Sequence, residues 1–338
     1  MMETVWFCIW GLLWAVYFML DGFDLGIGVL QPFLARNEKE RKSVYLAMGP
    51  FWDGNEVWLV AAGGVTFAAF PVLYAVMFSS FYSALMLILF ALILRAVSIE
   101  LGEEVRGAVW KTVWRGCLSV SSLLPAFVFG VVFANIFRGI PIDGEGIYYG
   151  TLWTLLSPYG LVGGLLFLLL FLLHGSLWLA VKVEGPLQGR SARSASRIWP
   201  VLLVTAAAFL ILSAFQTDLY TIYLKRPVLL AIPLIAAAAL FMTRVWMARG
   251  AWPRAWGASC VSIFFIVMFG VAGLYPALLP SSLGATFSLT VHAAASSPMT
   301  LKIMLGVVLV FIPIIILYQG WVYRFFGGKV DEEIYAKH

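Results

Sequence analysis

The chain has 338 residues, of which 62% are hydrophobic and only 12% are charged, and its mean hydropathy is +0.95. Soluble proteins are about 45–50% apolar and about 25% charged, so this composition excludes a water-soluble fold and indicates a protein embedded in lipid. The formal net charge of +5 does not indicate nucleic-acid binding, because the basic residues stand in short segments between apolar runs. Three scattered cysteines without a C-x-x-C pair indicate neither a zinc site nor a disulfide framework.

Nine apolar runs along the chain are long enough to cross a bilayer, which requires roughly 20 residues. Lipid offers no partners for open backbone groups, so each run is predicted to be an α-helix. The first run has no basic segment before it and is interpreted as a retained span, not as a signal peptide. The predicted spans are residues 5–30, 52–70, 75–97, 117–137, 159–181, 198–216, 227–247, 257–279 and 301–325.

The first span carries two carboxylates, Asp21 and Asp24, which are three residues apart and therefore share one helix face. Charge inside lipid costs about 2.5–3.5 kcal/mol per residue, so such groups need partners and are the best indicators of function. Glycines at 22, 26 and 28 predict close approach by another helix.

The second span opens with GPFWDGNEVWL, where Pro50 is typical of a helix start. Asp53 and Glu56 lie near the positive end of this helix dipole, which stabilises anions. With no second arginine to neutralise it, Asp53 is predicted to be a proton relay at membrane depth, and Glu56 is assigned to the same pathway. Trp52 and Asn55 of this motif are secondary candidates, as is Asp21.

Arg95 ends the third span and Glu100, another secondary candidate, follows it. By depth, the arginine could meet Asp24, Asp21 or Asp53, and the hypothesis adopted is a buried Asp24–Arg95 ion pair. Such a pair either fixes helix packing alone, since buried pairs often add little net stability, or takes part in proton handling. Both roles stay open on the sequence.

His174 stands alone within the fifth span, and neither an H-x-x-x-H nor a Cys-His grouping occurs. Heme ligation requires an axial side chain in a cavity, and an isolated histidine is more often a packed polar residue. No catalytic or metal-binding residue is therefore predicted. The segment 182–197 (KVEGPLQGRSARSASR) is polar and basic and is predicted to be a flexible cytoplasmic linker loop.

The predicted fold is an all-α integral membrane protein with nine transmembrane helices, arranged as two four-helix bundles plus one peripheral helix. Residues 1–338 form a single polytopic membrane domain, with a first bundle at 1–137 and the second bundle and peripheral helix at 159–325. On one side of the nine spans lie only Arg138, Lys225, Arg226 and Lys302, and Arg95 lies within a span. The other 17 of the 22 lysines and arginines share the opposite side, which predicts an outside N-terminus and a cytoplasmic C-terminus.

With these motifs in view, the sequence resembles subunit II of cytochrome bd-type ubiquinol oxidases, including the cyanide-insensitive subgroup. The resemblance covers nearly the whole chain and is weakest at 185–255. It is carried by DGFDLGIG, GPFWDGNEVWL, FPVLYAVMFSSFY, the arginine ending span three, VVFANIFRGIP, SPYGLVGGL, YPALLPSS, SLTVHAAASSPMTLKIML and IPIIILYQGWVYRFFG.

The resemblance implies a subunit that carries no heme itself and packs against a subunit I that holds hemes b and heme d. Together they would oxidise quinol, reduce dioxygen to water and take up protons from the cytoplasm, in the bacterial cytoplasmic membrane. The resemblance implies that the WDGN carboxylate, here Asp53, belongs to a proton path, and that Asp24 and Arg95 match the second aspartate of the DGFD motif and the arginine of span three. Some relatives have histidine where this chain has Phe51. A small single-helix accessory subunit, membrane lipid and a structural quinone or lipid are further partners implied.

Two other functions remain open on the sequence. A proton-coupled secondary transporter would also carry buried carboxylates beside an arginine, but the second half has no interrupted helix to match the first. A purely structural assembly subunit would differ only in that Asp53 conducts no protons.

Overall fold

The computed structural model describes residues 1–102 and 107–330, and most of them are helical. Two basic residues used to predict the orientation, Arg106 and Lys337, lie outside the described residues. The helices are α1 (Met2–Leu34), α2 (Glu38–Met48), α3 (Trp52–Ala69), α4 (Pro71–Ser80), α5 (Tyr82–Leu101), α6 (Ala108–Arg138), α7 (Leu152–Leu155), α8 (Pro158–Lys182), α9 (Gly185–Gln216), α10 (Tyr220–Lys225), α11 (Ala231–Ala248), α12 (Trp252–Leu274), α13 (Val291–Ala294) and α14 (Pro298–Phe325). Short 3-10 turns occupy Pro227–Leu230 and Ala285–Phe287, and a small antiparallel pair joins β1 (Ala277–Leu279) to β2 (Leu289–Thr290).

Eight helices of the described ranges are long and apolar enough to span a membrane, and this confirms an all-α integral membrane protein. A ninth span results only if α3 and α4 are taken together, and these two helices meet at a bend of 119°. The predicted second span therefore ends where expected, but the predicted third span, 75–97, begins inside α4 and is interrupted at Phe81. The first break precedes Pro71, whose ring disfavours a helical conformation in the residue before it.

The prediction of a flexible loop at 182–197 is wrong, because Lys182 ends α8 and α9 begins already at Gly185. The composition of the segment is polar, yet Leu187, Ser191 and Ala195 are buried at four-residue spacing. One face of this arginine-bearing stretch therefore packs against the bundle as an amphipathic helix. At roughly 1.5 Å per residue the 32 residues of α9 extend well beyond the ~30 Å hydrocarbon core.

The centre of the fold is the contact between α1 and α8, which also pack against α6 and α12. A Cβ at Gly26 would clash with the carbonyl oxygen of Phe171, and one at Gly175 would lie 2.6 Å from the amide nitrogen of Ile27. Glycine at these positions allows the two backbones to touch, as small residues do in membrane helix pairs. At the edge of the fold, α14 buries only Leu301 and Gln319.

The two ends of the bundle differ. At one end, called the α2 side, α2 lies beside the end of α1, and the starts of α3, α6 and α9 meet the ends of α5, α8 and α14. At the other end, called the hairpin side, the β1–β2 pair packs near α4, and the amide of Ser296 donates to the carbonyl of Ala69. All predicted proton-pathway residues belong to the α2 half.

Candidate functional site

The buried arginine pairs with Asp21, and the predicted Asp24–Arg95 pair is corrected. Arg95 Nη1 donates to Asp21 Oδ2 at 2.9 Å and Nη2 donates to Oδ1 at 2.5 Å, and both side chains are fully buried. This fork-to-fork geometry is the strongest form of arginine–carboxylate contact. Sequence spacing could not choose between the two aspartates, since both lie on one face of α1. The choice depends on the height at which α5 packs against α1.

Asp24 is instead bound to Asn55, which connects three helices. Asn55 Nδ2 donates to Asp24 Oδ2 at 2.7 Å and to the carbonyl of Leu20 at 3.2 Å. Asn55 Oδ1 accepts a hydrogen bond of 2.9 Å from the hydroxyl of Tyr323 on α14. Asp24 Oδ1 is buried and has no hydrogen-bond partner among the described residues. Water or a proton can supply the missing partner of such a buried carboxylate oxygen.

Glu56 is the third carboxylate of the cluster. Its Oε1 lies 3.5 Å from Arg95 Nη1 without a hydrogen bond, and its side chain is 23% exposed. One guanidinium thus faces Asp21 directly and Glu56 at longer range, with Asp24 bound nearby to Asn55. Full ionisation of all three acids would leave excess negative charge in a buried place, which is costly. The arrangement is suited to holding and exchanging a proton.

Asp53, which the sequence predicts to be a proton relay at membrane depth, is exposed in this chain. It stands in the first turn of α3 and lines a cavity of about 540 Å³ between α3 and the end of α14. Trp52, Glu100 and Tyr323 line the same cavity. Asp53 therefore lies at an entrance, while Glu56, three residues further along α3, faces the interior.

Two residues of the site were missed on the sequence because they come from α14, about 265 positions later. Gln319 Oε1 accepts a 2.6 Å hydrogen bond from the indole of Trp58, and Gln319 Nε2 donates to the carbonyl of Gly54. Tyr323 binds Asn55 one turn further on. A signal existed: Gln319 interrupts the apolar run IPIIILYQGW, and polar residues inside membrane spans are rarely incidental.

His174 lies in a second, separate polar contact. Its Nδ1 lies 2.6 Å from the hydroxyl of Ser259, and its Nε2 lies 3.0 Å from the carbonyl of Met19. The ring stacks on Trp256 with centroids 5.6 Å apart. Both ring nitrogens therefore have partners within the chain. Over residues 1–102 and 107–330, no group of three or more His, Cys, Asp or Glu side chains is placed to hold a metal ion.

Comparison with known proteins gives consistent results. Residues 2–326 match the family model described as cytochrome bd terminal oxidase subunit II. The chain is 34% identical to cytochrome bd ubiquinol oxidase subunit 2 of Bacillus subtilis over 332 residues, with 98% of each chain covered. It is 30% identical to cytochrome bd-I ubiquinol oxidase subunit 2 of Escherichia coli over 365 residues, covering 98% of this chain and 96% of the relative.

A solved structure supports the fold. A chain of the bd oxidase from Geobacillus thermodenitrificans superposes with a TM-score of 0.78 over 96% of this chain and 98% of the other. The sequence identity of that pair is 14%, so the superposition bears on the architecture alone.

Proposed function

Because the chain belongs to the cytochrome bd terminal oxidase subunit II family, we propose that it is the heme-free subunit of an enzyme that couples quinol oxidation to the reduction of dioxygen to water. Hemes b and heme d would then reside in the partner, subunit I. The names of the relatives support a ubiquinol oxidase. The hydrogen-bond partners of both His174 nitrogens support the heme-free assignment, because a histidine engaged in this way is not available as an axial ligand. A transporter is not favoured by these relatives.

The chain's own chemical contribution is proton uptake. One observation carries this proposal: the buried group of Asp21, Asp24, Glu56 and Arg95 lies directly behind the cavity that Asp53 lines. Asp53 and Glu100 would collect protons at the cavity, and Glu56 and Asp24 would receive them inside. Polar and ionisable groups at membrane depth commonly form such relays.

The side of the membrane from which protons would enter follows from the distribution of lysines and arginines. The arginines and lysines of α2, of the start of α9 and of the end of α14 are on the α2 side, and the positive-inside rule makes that side cytoplasmic. The N-terminus would be outside, and proton entry at Asp53 would draw on the cytoplasm. An apolar cavity of about 190 Å³ between α6, α8, α9, α11 and α12 supports the further candidate of a structural quinone or lipid. A small accessory subunit remains part of the proposal.

The decisive experiment measures oxygen consumption of the intact oxidase with Asp53→Asn in this subunit, at heme content equal to that of the unaltered complex. The amide keeps the side-chain shape and removes the proton site, so turnover is expected to fall severalfold. Asp218→Asn is the matched control, because Asp218 is also exposed but lies on the hairpin side. Unchanged turnover with Asp53→Asn would leave a scaffold role only, and reduced heme content with normal turnover per heme would point to assembly.

A further inference from the structure

A second charged feature of the α2 side has no part in the proposed proton path. Four arginines line a cleft of about 410 Å³ between the end of α1 and the start of α9. The apolar wall of this arginine cleft consists of Phe33, Leu34 and Ile198. The arginines are Arg36, Arg190, Arg193 and Arg197.

Only one of the four arginines is neutralised by a carboxylate of the described chain. Arg190 Nη2 lies 2.5 Å from Glu40 Oε1, and Arg190 Nε donates to the carbonyl of Leu34 at 2.7 Å. Burial opposes ionisation of Glu40, but hydrogen bonds from Arg190 and from the amide of Arg36 lower its pKa below the usual value, so it stays anionic. Among the ion pairs of the described residues, none includes Arg36, Arg193 or Arg197.

The cleft therefore combines one neutralised arginine with exposed, uncompensated arginines beside it. Arg190 is only 13% exposed and is held by Glu40 and the end of α1. Arg193 and Arg197 are exposed one turn apart on α9. Three uncompensated guanidinium groups around one opening favour a ligand with negative charge on several oxygens, since arginine binds phosphate with paired hydrogen bonds.

The surface next to the cleft identifies the rest of the ligand. From Arg193 and Arg197 the same face of α9 continues, at helical spacing, into apolar side chains that are 50–82% exposed. Phe33 at the end of α1 is 74% exposed beside them. A surface that changes from guanidinium groups to lipid-facing hydrocarbon along one helix matches an amphiphile at the membrane interface. The exposed apolar residues on this face of α9 are Val201, Val204, Ile211 and Phe215.

We propose that the arginine cleft binds the phosphate headgroup of an anionic phospholipid from the leaflet on the α2 side, with its acyl chains along the exposed face of α9. A zwitterionic lipid would leave the excess positive charge of the cleft uncompensated. Free phosphate would not use the apolar wall formed by Phe33 and Ile198. The bound lipid would join the end of α1 to the start of α9 and so stabilise the contact between the two halves of the chain.

The test uses the complete oxidase, stripped of lipid in detergent and titrated with phosphatidylglycerol in mixed micelles, with phosphatidylcholine and inorganic phosphate in parallel. Binding is followed by native mass spectrometry and by the increase in Tm. The variant is Arg193→Gln with Arg197→Gln. Each basic residue at an anionic surface contributes a factor of about five, so affinity for phosphatidylglycerol should fall about thirtyfold. The control, Arg244→Gln with Arg249→Gln, removes the same charge from exposed residues at the end of α11.

The expected result is phosphatidylglycerol binding that the control retains and the cleft variant loses, with little effect from phosphatidylcholine or phosphate. Equal affinity in the variant and the unaltered complex would overturn the proposal. So would a Tm increase that inorganic phosphate reproduces, because the site would then be a free-anion site. Loss of a co-purifying acidic protein in the variant, with lipid binding intact, would show that a protein covers the cleft and would overturn it as well.

Discussion

Two buried polar networks lie within about one turn of each other on α1, and they differ in how completely they are satisfied. Toward α8 and α12, His174 is held between Ser259 and the carbonyl of Met19, with both ring nitrogens engaged. Toward α3 and α5, the carboxylate network of Asp21, Asp24, Glu56, Asn55 and Arg95 leaves Asp24 Oδ1 and Arg95 Nε without hydrogen-bond partners among the described residues.

We attribute this difference to a structural role for the histidine network and to the proposed proton path for the carboxylate network. Buried polar groups normally find partners, and those that do not call for an explanation. The histidine network is compact and adjoins apolar and aromatic side chains such as Phe23 and Trp256. The carboxylate network adjoins the cavity lined by Asp53 and Asn55. Packing alone would favour an apolar replacement for such charges, so their presence beside an opening supports proton transfer.

The largest effect is expected from Asp21→Asn, because it leaves the fully buried Arg95 without its paired carboxylate. Breaking a buried ion pair from one side costs about 3–5 kcal/mol. We expect a severe loss of assembled oxidase, measured as heme content and as Tm of the purified complex. The variant Asp21→Asn with Arg95→Met should recover much of the assembly, since it removes both charges. If Asp21→Asn alone assembled normally, the ion pair would not be what stabilises this network.

Asp24→Asn should reduce turnover without the loss of assembly that is expected for Asp21→Asn. Its oxygen can still accept the hydrogen bond from Asn55 Nδ2, and Arg95 keeps Asp21, so assembly and heme content should remain near normal. Oxygen consumption should fall severalfold, because the amide cannot exchange a proton. Comparison with Asp21→Asn at equal heme content distinguishes the two aspartates. If Asp24→Asn abolished assembly instead, Asp24 would be the structural partner that the sequence had suggested.

The members of the carboxylate network could be predicted from the sequence, but their pairing could not. The cost of placing charge in lipid identifies Asp21, Asp24, Glu56 and Arg95 without any structure. Helical spacing shows which residues share a face and does not show the relative height of α1 and α5. The exposure of Asp53 could not be predicted from the sequence either, because a helix start can lie at the membrane surface or below it.

Contacts between residues far apart in the chain were the second feature that the sequence could not predict. Tyr323 reaches Asn55 across 268 positions, and no local pattern connects them. The start of α9 was misread because its arginines and serines resemble a loop in composition. Of the buried positions Leu187, Ser191 and Ala195 that make it an amphipathic helix, only Leu187 is strongly apolar. The number of spans depended in the same way on a 119° bend between α3 and α4 that hydropathy alone does not reveal.

The smallest effect is expected in the histidine network, with Ser259→Ala. The change removes the hydroxyl that lies 2.6 Å from His174 Nδ1 and leaves that nitrogen buried without a partner, at a cost of about 1–3 kcal/mol. We expect a lower Tm of the complex and unchanged oxygen consumption per heme. Thr243→Ala is a matched control, since Thr243 is also buried but its hydroxyl only bonds within its own helix, to the carbonyl of Ala239.

The value of this variant lies in separating stability from turnover. Ser259→Ala alters a buried hydrogen-bonding side chain on α12, which packs against α1, and Asp24→Asn alters one on α1 itself. Only Asp24→Asn removes a proton site. If Ser259→Ala slowed turnover as strongly as Asp24→Asn at equal heme content, the presence or absence of hydrogen-bond partners would not distinguish the two networks. The histidine would then have to be counted among the groups that serve proton uptake.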